Sequence, residues 1–157
     1  MSEDFFNQIR KGNLDEVKMM LTENPELAES TDQRGSTALI LAAYYDKLEI
    51  TELLLSRGAK IDAMDGSGNT ALMGACFKGF TAVAEKLIEK GADIDQRNAM
   101  GATCLIYAVT FDHPEITKLL VEQNADISVK DSKGNTALDH AKMRGNPEMI
   151  DLLEENL

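Results

Sequence analysis

The chain has 157 residues, 43% of them hydrophobic and 27% charged, which suits one folded domain and argues against wholesale disorder. Its 16 Lys and Arg stand against 27 Asp and Glu, a formal charge of −11; that disfavours free duplex DNA, where phosphate neutralisation supplies much of the affinity. No apolar run approaches the roughly 18–20 residues of a membrane span, the opening MSEDFFNQIRKGN lacks a secretory pattern, and two cysteines, Cys76 and Cys104, suit reduced thiols in a cytoplasmic protein.

In chain order, residues 5–21 read first as a helix pair broken at Gly12, Asn13 and Leu14. From Asp32 onward the sequence repeats itself. DQRGSTAL begins at Asp32, DGSGNTAL at Asp65, NAMGATCL at Asn98 and DSKGNTAL at Asp131, a constant step of 33 residues. A fixed period of this size marks a stacked-repeat architecture. Within each unit the Asp or Asn and the following Gly are turn chemistry. Thr37, Thr70, Thr103 and Thr136 suit helix N-caps, so first helices are expected near 37–45, 70–78, 103–111 and 136–144. Second turns fall at Asp46, Gly79, Asp112 and Gly145. Apolar residues at helical spacing then place second helices near 48–57, 81–90, 115–123 and 147–155. Gly58, Gly91 and Asn124 tolerate the left-handed conformation of a helix end and stop the first three of these. The expected core includes Leu39, Leu72, Leu105 and Leu138, the alanines Ala42, Ala75, Ala108 and Ala141, and Leu54, Leu87 and Leu120.

These units resemble the ankyrin repeat, whose usual pattern is D-x-x-G-x-T-P-L-H-x-A, helix, G, helix, then G-A-D. GAKID at Gly58, GADID at Gly91 and NADIS at Asn124 match its closing part. The resemblance covers nearly the whole chain. It implies an all-α solenoid of stacked helix-turn-helix units joined by short β-turn or hairpin loops. Residues 1–31 would form an N-terminal capping helix pair, 32–64, 65–97 and 98–130 full repeats, and 131–157 a C-terminal capping repeat of one domain. The departures are specific. The family's proline is replaced by Ala38, Ala71, Cys104 and Ala137. Its loop-binding histidine is replaced by Ile40, Met73, Ile106 and Asp139, so the loops must be joined by other groups. Asp46 and Asp112 stand where the family has a mid-unit glycine; Asp enters the left-handed region less comfortably than Gly.

Residues that point to chemistry are few. His113 and His140 are unclustered, and no Cys-x-x-Cys or His-Glu-x-x-His is present. Gly66, Ser67 and Gly68 resemble a piece of a phosphate loop but lack the following Gly-Lys. Both cysteines read as packed side chains. No catalytic residue, cofactor or metal is therefore expected.

The resemblance implies a concave groove bordered by the first-helix ends and the turns ahead of them. Tyr44, Tyr45, Phe77, Phe111 and Met143 fall at those helix ends, with Lys78 and Arg144 beside them and Arg34 and Met100 on the turns. Aromatic, methionine and arginine side chains are enriched at interface centres. Packing of the rings between repeats is the competing reading, and Tyr107, deeper in its helix, is expected in the core. The function expected is a non-catalytic module binding another protein, with no nucleic acid or membrane partner. A small-molecule site in the aromatic groove and self-association through the same stripe stand as alternatives.

Overall fold

A computed structural model describes residues 2–157. Ten α-helices follow one another among these residues: α1 (Ser2–Lys11), α2 (Leu14–Glu23), α3 (Ala38–Tyr44), α4 (Leu48–Ser56), α5 (Ala71–Lys78), α6 (Thr81–Glu89), α7 (Cys104–Thr110), α8 (Pro114–Glu122), α9 (Ala137–Arg144) and α10 (Pro147–Glu155). A 3-10 turn at Pro25–Glu29 follows α2 and was not expected from the sequence. Every expected helix is present, with ends within two residues of expectation except the start of α1, which lies three residues earlier. The four threonines are N-caps, each hydroxyl oxygen accepting from the N–H three residues on: Ile40, Met73, Ile106 and Asp139. Among the described residues the only β pairing is an isolated bridge between Thr31 and Thr37, so the loops are turns rather than hairpins.

The helices form two layers. The first helices pack side by side in the order α1, α3, α5, α7, α9; α2, α4, α6, α8 and α10 form the second layer. Close approach in the first layer depends on size. Ala42, Ala75, Ala108 and Ala141 are fully buried at one repeat position, where a longer side chain would push neighbouring helices apart. Leu39, Leu72 and Leu105, with Leu54, Leu87 and Leu120, complete the core as expected. Leu138 does not: it is half-buried. α5 and α7 each have a first helix on both flanks, whereas α9 packs only on α7 in that layer.

Polar contacts join the units where the family uses histidine. Ile40, Met73 and Ile106 are instead buried apolar residues, and Asp139 closes a capping box with Thr136. Turn backbones bond directly from unit to unit: Gly66 N–H to Arg34 O (3.0 Å), Ala99 N–H to Ser67 O (3.0 Å) and Ser132 N–H to Met100 O (2.9 Å). The Asp62 and Asp95 carboxylates accept from the Asp93 and Asp126 N–H groups one unit on. Arg97 donates to Lys130 O at 2.7 Å, and Asn98 to Asn69 Oδ1 at 2.8 Å.

The mid-unit turn supplies a second line of ties. Asp46, Gly79, Asp112 and Gly145 all have positive φ, at 58°, 81°, 59° and 67°. Their contacts with the next unit differ. A Cβ on Gly79 would lie 2.6 Å from the His113 ring, and that ring reaches Phe77 O at 2.9 Å. Asp112 instead accepts from Asn146 Nδ2 at 2.9 Å. Gly145 has open space around it.

Two stability outcomes follow. Leu105→Ala should lower unfolding free energy by about 2–5 kcal/mol, the range for truncating a buried leucine, read from urea denaturation. Gly145→Ala should cost about 1–2 kcal/mol for the left-handed backbone alone. Gly79→Ala should cost more in the same assay, because it also evicts the His113 ring.

Candidate functional site

The residues nominated by the sequence occur on the ends of the first helices and on the turns ahead of them. Tyr44 and Tyr45 end α3, Phe77 and Lys78 end α5, Phe111 follows α7, and Met143 and Arg144 end α9. The register of the repeat brings the rings into one row. Tyr44 meets Tyr45 edge-on at 5.6 Å between centroids and stacks with Phe77 at 6.4 Å. Phe77 meets Phe111 edge-on at 4.5 Å. Such ring pairs contribute about 0.5–1.5 kcal/mol beyond the area they bury.

This row stays partly open to solvent. Tyr44 is 38% exposed, Tyr45 42%, Phe111 43%, Met100 60% and Met143 64%; Phe77 is half-buried beneath its neighbours. Tyr107 is not core but half-buried beside the row, 5.9 Å from Phe77 and 6.2 Å from Phe111. Its hydroxyl accepts from Asn98 Nδ2 at 2.6 Å.

The nominated cations are not equivalent. Lys78 Nζ lies over the Tyr44 ring at 5.1 Å and near Phe80 at 5.9 Å. Arg144 Nη1 donates to Thr110 O at 2.7 Å, tying the last unit to the third. The Arg34 side chain is exposed, and its carbonyl carries a turn-to-turn bond. Met100 projects from the equivalent turn one unit beyond Ser67.

A cavity of about 760 Å³ opens at the Tyr44 end of the row. Tyr44, Tyr45, Ile40 and Leu41 line one side; Phe6 and Arg10 of α1 line the other. Arg10 also pairs with Asp32 at 3.7 Å. The sequence reading gave α1 no part in the site, because α1 carries no turn motif and its position beside α3 emerges only from the stack.

Glutamates separate by layer. Beyond residue 31 every glutamate lies on a second-layer helix, and none lies on α3, α5, α7, α9 or the turns before them. Lys86 bridges two of these glutamates, Glu52 at 3.6 Å and Glu89 at 3.5 Å.

The chemically capable side chains are engaged in the fold. Both cysteines are fully buried. The Cys104 side chain hydrogen-bonded to it, together with burial, pushes the Cys76 thiol well above the ordinary thiol range, which suppresses the nucleophilic thiolate. His113 and His140 are spent on Phe77 O and on Asp131, the latter at 2.7 Å. Among the described residues no group of three or more His, Cys, Asp or Glu is placed to hold a metal ion, and no helix is long and apolar enough to cross a membrane.

In comparison with known proteins, the family model for ankyrin repeats in three copies matches residues 6–98 and 95–156. No curated protein matches the chain.

Asp131 links this end of the stack to pH. Burial raises its pKa, but hydrogen bonds from His140 and the Asn135 and Lys133 N–H groups outweigh that and hold the carboxyl below its usual range. A depressed folded value stabilises the fold fully above the unfolded value of about 3.9, and the effect is lost as pH falls through the folded value. The difference in urea midpoint between the parent chain and Asp131→Asn should therefore be largest well above about pH 4 and shrink in acid.

Proposed function

The chain belongs to the ankyrin-repeat family, whose stacks generally serve protein–protein interaction without catalysis, and we propose that this one binds a partner protein through the face formed by its first-helix ends and turn tips. The observation that carries the reading is the continuous row of rings from Tyr45 through Tyr44 and Phe77 to Phe111, with Tyr44, Tyr45 and Phe111 exposed and Phe77 half-buried between them. Exposed apolar surface that the fold does not need is an interaction site or a liability. Rings supply large contact area with few rotamers to freeze. Met100, Met143 and Arg34 extend the same face, and Lys78 and Arg144 border it. Residues 1–31 and 131–157 serve as caps of the stack in this reading, and the acidic charge and reduced thiols suit the cytoplasm.

Capture of interacting proteins from an extract of the encoding organism tests the reading when repeated with variants. Tyr45→Ala with Phe111→Ala should weaken capture by more than tenfold, since a few anchors carry most interface energy. The melting temperature should change little, because exposed positions carry little stability. Glu52→Gln with Glu89→Gln, on the second layer, should leave capture intact. Loss of capture with the glutamine pair alone places the partner on the second layer and overturns the assignment. Unfolding of the alanine pair shows the row to be core. Concentration-dependent mass that vanishes with the alanine pair assigns the row to self-association instead.

A further inference from the structure

Each unit opens on an aspartate or asparagine whose Oδ1 accepts from N–H groups of its own turn. Asp32 accepts from Arg34 and Ser36, Asp65 from Ser67 and Asn69, Asn98 from Met100 and Ala102, and Asp131 from Lys133 and Asn135. One outer atom per unit is left over, and in three units a side chain engages it. Arg10 pairs with Asp32 Oδ2 at 3.7 Å, Asn98 Nδ2 donates to the Tyr107 hydroxyl at 2.6 Å, and His140 Nε2 bonds Asp131 Oδ2 at 2.7 Å. In the second unit, Asp65 Oδ2 has no partner among the described residues.

One residue accounts for the difference. Tyr107 and His140 stand nine positions after their turn residues, and in the second unit that position is Gly74. A Cβ on Gly74 would meet only Tyr44, at 3.7 Å and 4.0 Å, which is ordinary contact. The place that a ring takes in the next two units is therefore open here. Neighbouring rings register this. Phe77 lies 5.9 Å from Tyr107 and is half-buried; Tyr44, in the same register one unit earlier, lacks that cover and is exposed. Tyr44 and Asp65 both line the cavity of about 760 Å³, so both are reached from solvent.

Resting on the groove reading above, we propose that the second unit takes a tyrosine side chain of the partner protein, its ring beside Tyr44 where Gly74 leaves room and its hydroxyl donating to Asp65 Oδ2. The third unit shows that a ring fits. Tyr107 is flanked by Phe77 and Phe111; for a ring at Gly74 the same register supplies Tyr44 and Lys78, an aromatic neighbour and a cation, both of which suit a π face. Local charge sets the donor. An ionised carboxylate only accepts, so Asp65 needs an O–H or N–H. With Lys78 over Tyr44 and Arg34 on the cavity wall, a neutral phenol meets no repulsion, whereas a cationic side chain does.

Amide chemical-shift titration of the full, isotope-labelled chain tests this. The probe is p-cresol, and the control is 4-methylanisole, the same ring without a donor. p-Cresol should shift the Ser67, Asn69 and Gly74 amides saturably and bind at least fivefold more tightly than the control. Asp65→Asn should remove that preference: its Oδ1 stays with the turn and its Nδ2 faces outward, as in Asn98, so either probe's oxygen can accept. Gly74→Ala should leave the p-cresol shifts in place. Gly74→Tyr should abolish them and melt above Gly74→Ala, the excess marking a ring contact rather than helix propensity. Equal binding of the two probes, a preference that survives Asp65→Asn, or p-cresol shifts that survive in folded Gly74→Tyr overturns the proposal. In the capture assay Gly74→Tyr should weaken the partner at least tenfold, and Gly74→Ala should not. If Gly74→Tyr leaves capture intact while Tyr45→Ala with Phe111→Ala abolishes it, the groove reading stands and the tyrosine proposal falls.

Discussion

A stack of short helices holds together only if neighbouring first helices can lie close, and in this chain that closeness depends on the fully buried row Ala42, Ala75, Ala108 and Ala141. None of the four helices that carry these alanines exceeds eight residues, too short to persist alone in water. Each becomes stable because its neighbour buries its apolar face, so stability is passed from unit to unit. The same closeness crowds the helix ends, bringing rings from consecutive units within stacking distance. The alanine row and the aromatic row are thus two results of one packing distance.

Close packing brings polar backbone from adjacent units together, and the buried groups must then find partners. This chain has apolar side chains at three of the four positions where the family carries histidine, and it distributes the linking task instead. Turn N–H groups bond to the preceding turn, Asp62 and Asp95 accept across units, and Arg97, Asn98, His113 and Arg144 each reach a neighbour. The last two terminate on carbonyls at equivalent places, Phe77 O and Thr110 O. His113 reaches its carbonyl because Gly79 has no side chain, which gives that glycine a steric reason beyond its dihedral angle.

The sequence made the repeating parts legible and the singular parts obscure. The 33-residue step located the helices, their threonine caps and the buried Leu and Ala positions, because a period repeated four times fixes the register. Leu138 shows the limit: it has the register of Leu105, but α9 lacks a first helix on one flank, and burial depends on neighbours rather than on pattern. Tyr107 shows another, since a ring placed deep by its helix position is half-exposed with its hydroxyl satisfied by Asn98. The 3-10 turn and the part α1 takes in the cavity beside Tyr44 arise where no period applies. The exposure of Tyr45 and Phe111 was not decidable from spacing, because the same position could have packed against the following unit.

Confinement of the glutamates beyond residue 31 to the second layer gives the two faces different physical tasks. Glutamates on the second layer keep like charge spread over that surface, which favours solubility at some expense in self-repulsion. Physiological salt screens exposed charges beyond about 8 Å, and a helical layer with its side chains is about 10–12 Å thick. A partner seated on the first-helix ends therefore senses the distant glutamates weakly at contact and strongly only on approach at low salt. At contact the decisive charges are the local ones, and these differ in freedom. Lys78, held over the Tyr44 ring, and Arg144, bonded to Thr110 O, keep their positive charge beside exposed Arg34, and Asp46 and Asp112 supply negative charge at the alternate units. The local charges are of both signs, so the distant glutamates act on approach while this mixed set acts at contact.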